Sequence, residues 1–108
     1  METKEFIKKL KDRSRVPSII ALRQALCYHL WKNNIPCTLI GKLLGYTRRN
    51  VYISCYHVQD CLEVNDKTLR SAIEEVRQHD IQIKPYTIDG NIMSKHAGYR
   101  MIIDNIIY

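Results

Sequence analysis

Arg48, Arg49, Asn50, Tyr52, Ile53 and Tyr56 crowd one short stretch of this 108-residue chain, and their chemistry suits a polyanion with readable edges. Arginine can pair with guanine and asparagine with adenine, while isoleucine can touch a thymine methyl. If the stretch is a helix, advancing about 100° per residue from Val51 places Arg49, Ile53, Tyr56 and Asp60 opposite it, flanked by Asn50, Tyr52 and His57. That face fits a major groove. Were Ile53 and Tyr56 instead covered by the C-terminal part of the chain, only the arginines would remain for the purpose. No second constellation reads as catalytic, because His29, His57, His79 and His96 lack a carboxylate or cysteine arrangement that makes a reactive set. Cys55, His57 and Cys61 form a loose metal-like cluster, yet Cys55 falls on the apolar face and His57 is turned away from it. With no C-x-x-C pair, Cys27, Cys37, Cys55 and Cys61 read as core cysteines. No enzyme activity, metal or cofactor is expected.

The stretch needs a helix to display it and a second helix to hold that one. Val51, Cys55, Val58 and Leu62 recur at i, i+4, i+7 and i+11, which predicts a helix over about 47–62 with Thr47 as its N-cap. Before it, Thr38 is a candidate N-cap, and Leu39, Ile40, Leu43 and Leu44 form an apolar stripe. Gly45 follows where a helix wants a left-handed residue. Two helices joined by a short Gly-containing turn are the helix-turn-helix pattern. Arg48 and Arg49 stand in the first turn of the second helix, where the macrodipole favours acids. Cations there make sense opposite an anion.

Charge points the same way. Of 17 Lys and Arg residues, eleven lie in residues 1–58 against three acids, so the excess of the net +6 belongs to the half holding the helix-turn-helix. Such a field attracts phosphate backbones. A basic solvated face would look the same. No run of residues is apolar enough for a membrane span, and the N-terminus has no signal-peptide core, so a cytoplasmic protein with reduced thiols is expected.

Around the motif, residues 3–12 predict a short helix with Phe6, Ile7 and Leu10 inward. Arg13 to Pro17 forms a basic loop. Ser18, as N-cap, opens a helix to about Asn33, whose Ile19, Leu22, Ala25, Leu26, Leu30 and Trp31 leave little polar surface beyond Arg23 and Gln24. Tyr28 and Trp31 read as core. Asn65 is a candidate cap for a further helix to about His79, carrying Leu69, Ile73 and Val76. From Ile81 the period changes to two. Ile81 and Ile83 alternate with polar residues, Tyr86 and Ile88 continue the pattern, and Asp89-Gly90 is a turn pair. Ser94 to Tyr108, with Ile102, Ile103, Ile106 and Ile107, fits a helix or a strand. The reading is a mainly α protein: a helix-turn-helix domain over 1–79 and an extension of mixed or irregular structure over 80–108.

This order of elements resembles the C-terminal DNA-binding domain of the bacterial replication initiator DnaA, from about Arg13 to His79. The likeness rests on Arg23-Gln24, on Ile40-Gly41 with Gly45, and on Val51, Val58 and Leu62. It implies a Trp-repressor-like helical fold. It also implies that Arg23 meets the DNA backbone and that Arg13 and Arg15 belong to a minor-groove arm. The chain departs from the family at Tyr46-Thr47-Arg48-Arg49-Asn50-Val51, which is one residue shorter and lacks the family's base-reading Asp-His pair. It also lacks G-x-x-x-x-G-K-[ST], so it is no complete initiator.

The expected function is therefore duplex DNA binding, as a transcriptional regulator or replication accessory factor of a bacterium, phage or mobile element. Arg48, Arg49, Asn50, Tyr52, Ile53, Tyr56 and Thr47 come from the recognition helix and its cap. Arg23 and Lys42 are the expected backbone contacts, and Arg13 and Arg15 are expected to contact DNA from the basic loop. The competing class is a protein–protein module that retains the scaffold and uses the isoleucine-rich tail to bind a partner. A homodimer through residues 81–108 is compatible with either, since so much apolar surface at a terminus needs cover.

Overall fold

The computed structural model describes residues 2–86 and 98–108. Five helices come first: α1 Thr3–Lys11, α2 Pro17–Lys32, α3 Cys37–Leu44, α4 Arg48–Glu63 and α5 Lys67–Arg77. Three strands follow, β1 Ile81–Tyr86, β2 Gly98–Ile103 and β3 Ile106–Ile107, in an antiparallel sheet of order β1-β2-β3. The mainly helical expectation holds, with the extension now defined as a small sheet. Helix α2 is central, packing against α1, α3, α4 and α5, as its nearly all-round apolar surface requires. Ala25 and Leu26 of α2, Ile40 of α3, Val51, Cys55 and Val58 of α4 and Val76 of α5 are all fully buried in one core.

Helix starts differ from the sequence reading in three places. Helix α2 begins at Pro17, not after Ser18, because proline at the first position gives up an amide that has no helical acceptor. Helix α3 begins at Cys37, one residue before Thr38, with Pro36 at the cap position. The cap of α5 is Asp66, whose side chain accepts from the Leu69 amide; Asn65 instead takes a left-handed conformation at φ 59. Helix α5 ends at Arg77, and His79 turns back into the core beside Phe6, with ring centroids 4.0 Å apart. Tyr28 and Trp31 sit at the margin of the core, half-buried, rather than within it.

The isoleucine-rich tail forms strands. Gly98–Ile103 pairs with β1 from Ile81↔Ile103 to Tyr86↔Gly98, and Pro85 is accommodated because β1 is an edge strand. Asp104 and Asn105, at φ 49 and 68, make a two-residue turn between Ile103 and Ile106, the primed geometry that matches strand twist. Met101 and Ile103 enter the same core as the helices, whereas Ile106 and Ile107 remain exposed. The continuation through Ile88, the Asp89-Gly90 turn, the stretch from Ser94 to Ala97 and His96 lie outside the described residues.

Asp104 anchors this hairpin to both ends of the helical part. Its carboxylate accepts from the Thr3 hydroxyl at 2.6 Å, from His79 Nδ1 at 2.6 Å and from the Asp80 amide at 2.7 Å. The histidine–carboxylate pair absent from the sequence reading therefore exists. It is buried on the histidine side and has a clamping geometry, with His79 Nε2 enclosed and facing no nucleophile among the described residues.

Candidate nucleic-acid interface

Helices α3 and α4 meet through a turn that two glycines permit. A β-carbon on Gly41 would stand 2.5 Å from the Tyr46 carbonyl oxygen, so only glycine lets α3 approach the turn this closely. The Gly41 carbonyl accepts from the amides of both Gly45 and Tyr46, each at 2.8 Å, and Gly45 takes φ 78. The Thr47 side chain then accepts from the Asn50 amide at 3.1 Å and starts α4, as its position predicted. Val51, Cys55 and Val58 pin one face of α4 inward, which leaves Arg48, Arg49, Asn50, Tyr52, Ile53 and Tyr56 exposed on the other.

The expected site residues divide into two groups. Arg48 and Arg49 occupy a first turn that contains no acid, and among the described residues neither has a salt bridge or a side-chain hydrogen bond. Arg15 and Lys42 are exposed in the same unpaired condition; Lys42 borders, with Leu39 and Tyr99, the groove between α3 and the sheet. Arg13 and Arg23 make hydrogen bonds within the protein. Arg13 Nη2 donates to the Leu44 carbonyl at 3.0 Å and its guanidinium lies 5.0 Å from the Tyr46 ring. Arg23 donates to the carbonyls of Asp12 and Ser14. Arg13 and Arg23 thus also brace the basic loop against α2 and against the α3–α4 turn, while Arg13 stays exposed and Arg23 half-buried. Arg13 and Arg15 are both exposed in that loop, and of the two Arg15 makes no side-chain hydrogen bond among the described residues.

Ile53 and Tyr56 are not covered by the described residues of the extension, being 53% and 42% exposed, and Tyr52 is 52% exposed. The Tyr52 and Tyr56 rings lie 4.6 Å apart, and Tyr56 continues to Trp31 of α2 at 5.6 Å. The hydroxyl contact with Tyr52 pushes the Tyr56 phenol up from its ordinary pKa. Sequence reasoning missed Trp31 as part of this surface; its helical position could be read, but its contact with Tyr56 depends on how α2 crosses α4. Asn50, Ile53 and Ser54 of α4 also face Gln24 of α2 across a shallow depression.

Two of the cysteines are core thiols. Burial pushes Cys27 and Cys55 up to about 12, so both are inert thiols at neutral pH. Cys61 lies 3.5 Å from His57 Nε2, one turn apart on α4, but desolvation and the carboxylates of Asp66 and Asp60 raise its pKa too. No group of three or more potential metal ligands occurs among the described residues. No helix among them is long and apolar enough to cross a membrane. The chain matches no protein-family model, no curated protein and no solved structure.

Proposed function

We propose that this is a DNA-binding protein in which α3, the turn and α4 act as a helix-turn-helix, with α4 as the recognition helix on duplex DNA. One observation carries the reading: Arg48 and Arg49 stand exposed and unpaired in the first turn of a rigidly held helix, where the helix dipole opposes them. A phosphate or base edge opposite them removes that cost. Arg48, Arg49 and Asn50 contact DNA first, with Tyr52 and Ile53 one turn further in. Arg15 approaches the backbone from the loop that Arg13 and Arg23 hold in place, and Lys42 adds phosphate contact. The fold is of the Trp-repressor-like type, akin to the DNA-binding domain of the DnaA initiator, and the protein works in the cytoplasm as a transcriptional regulator or replication accessory factor. Ile106 and Ile107, the exposed remainder of the tail, join two copies so that two recognition helices reach neighbouring half-sites.

The test is binding to random-sequence duplex DNA, followed by selection and footprinting. Affinity should fall steeply as salt rises, in proportion to the phosphates neutralised. Salt-independent binding, or none at low salt, would sink the reading and favour the protein–protein module.

A further inference from the structure

Resting on the DNA-binding reading, we propose that Tyr52, Tyr56 and Trp31 form a stacking platform for unpaired bases, so that the ligand is duplex DNA adjoining a single-stranded segment. The three rings form a continuous run, 4.6 and 5.6 Å between centroids, across two helices. A continuous duplex presents only base edges in its grooves, because the base faces are stacked on one another. It has nothing to lay on a ring. Trp31 also belongs to α2 and carries the run beyond the helix that a groove would accept. Exposed aromatic side chains with cations beside them are the arrangement that takes unpaired nucleotides, base on ring and phosphate on cation. Here Tyr52 and Tyr56 are exposed, Trp31 is half-buried beside them, and cations are at hand. Arg48 precedes Tyr52 by one turn, and the Lys32 ammonium lies 5.5 Å from the Trp31 ring and 5.6 Å from Tyr28. The cations bordering the rings complement a polyanionic strand. On this geometry α4 enters the duplex from its arginine end, and the strand leaving the duplex runs over Tyr52 and Tyr56 toward Trp31.

The experiment uses the full chain and three probes: a blunt duplex, the same duplex with a short oligothymidine overhang, and the oligothymidine alone. Trp31 is the single tryptophan and therefore a reporter inside the platform. The overhang should bind about tenfold more tightly than the blunt duplex, since each stacked base is worth about that factor. Trp31 emission should be quenched by the overhang probe and by oligothymidine, and little changed by the blunt duplex. Tyr56→Ala should bring the overhang-to-blunt ratio to about one, whereas Tyr56→Phe, which keeps the ring, should preserve it. Equal affinity for the blunt and overhang probes with unchanged Trp31 emission overturns the platform while leaving the duplex reading standing, and hands the aromatic run to a protein partner. Failure to bind any probe at low salt overturns both.

Discussion

Replacing Asp104 by asparagine is a direct measure of what the extension contributes to the helical part. Asparagine tolerates the left-handed turn position at φ 49, so the hairpin geometry survives. What disappears is the charge that Thr3, His79 and the Asp80 amide stabilise together. Those three hydrogen bonds, Thr3 first, hold the carboxyl at about 2 against an ordinary 3.8. A difference of that size corresponds to at most about 2.5 kcal/mol. The side chain is 30% exposed, and screening by solvent reduces the expected loss to about 1 kcal/mol. For a domain of this length that lowers Tm by about 4–8 °C. The sign follows from the depressed folded value: the stabilisation is fully present above the unfolded pKa and disappears as pH falls toward about 2. Urea melts of parent and Asp104→Asn at a series of pH values should show a constant gap from neutral down to about pH 5, closing between about 4 and 2. A gap that persists at the acid end, or grows on acidification, refutes the argument.

Other consequences can be measured alongside. Gly41→Ala forces the Tyr46 carbonyl away from a 2.5 Å approach and should cost about 1–3 kcal/mol in urea melts. Its duplex affinity should drop by more than the unfolded fraction explains, because α4 is displaced on α3. Arg48→Ala and Arg49→Ala should keep the fold, raise the melting midpoint slightly by removing cations from the positive end of α4, and weaken duplex binding. An arginine that reads a base costs about 1–3 kcal/mol at one sequence position, and one on phosphate flattens the salt slope instead. Arg15→Ala should act in the second way, with a smaller loss; if the Arg48/Arg49 double variant binds every duplex like the parent, α4 is not the recognition helix. Ile106→Asp with Ile107→Asp should shift the sedimenting mass from dimer to monomer with far-UV dichroism unchanged, and a parent already monomeric at high micromolar concentration removes the dimer. Deleting residues 81–108 strips Met101 and Ile103 from the core, so this form should melt well below the parent.

Local patterns were enough for much of this molecule. The apolar stripe from Val51 to Val58, the Thr47 cap and the left-handed Gly45 are decided by spacing and backbone sterics within a few residues, and each has its expected role. Helix starts were less legible where two caps competed, since Asn65 and Asp66 can both accept an amide and only the chain path chooses Asp66. The sequence alone also determined which α4 side chains face outward, because burying Val51 and Cys55 turns Arg49, Ile53 and Tyr56 away. Tertiary structure decided everything that depends on contacts between distant segments. Four isoleucines near the C-terminus carry no period that separates helix from strand; pairing with β1 made Ile102 and Ile103 a strand, and pairing with β2 did the same for Ile106 and Ile107. Asp104 meets His79 across 25 residues and Thr3 across 101, distances at which no spacing rule applies. Arg13 and Arg23 look on paper like Arg15, arginines of a basic segment, yet the first two donate to carbonyls of the loop and of Leu44, and the third has no such acceptor among the described residues. Whether a cation is a brace or a contact depends on which acceptor the fold brings within hydrogen-bond reach, and that is a property of the packed chain.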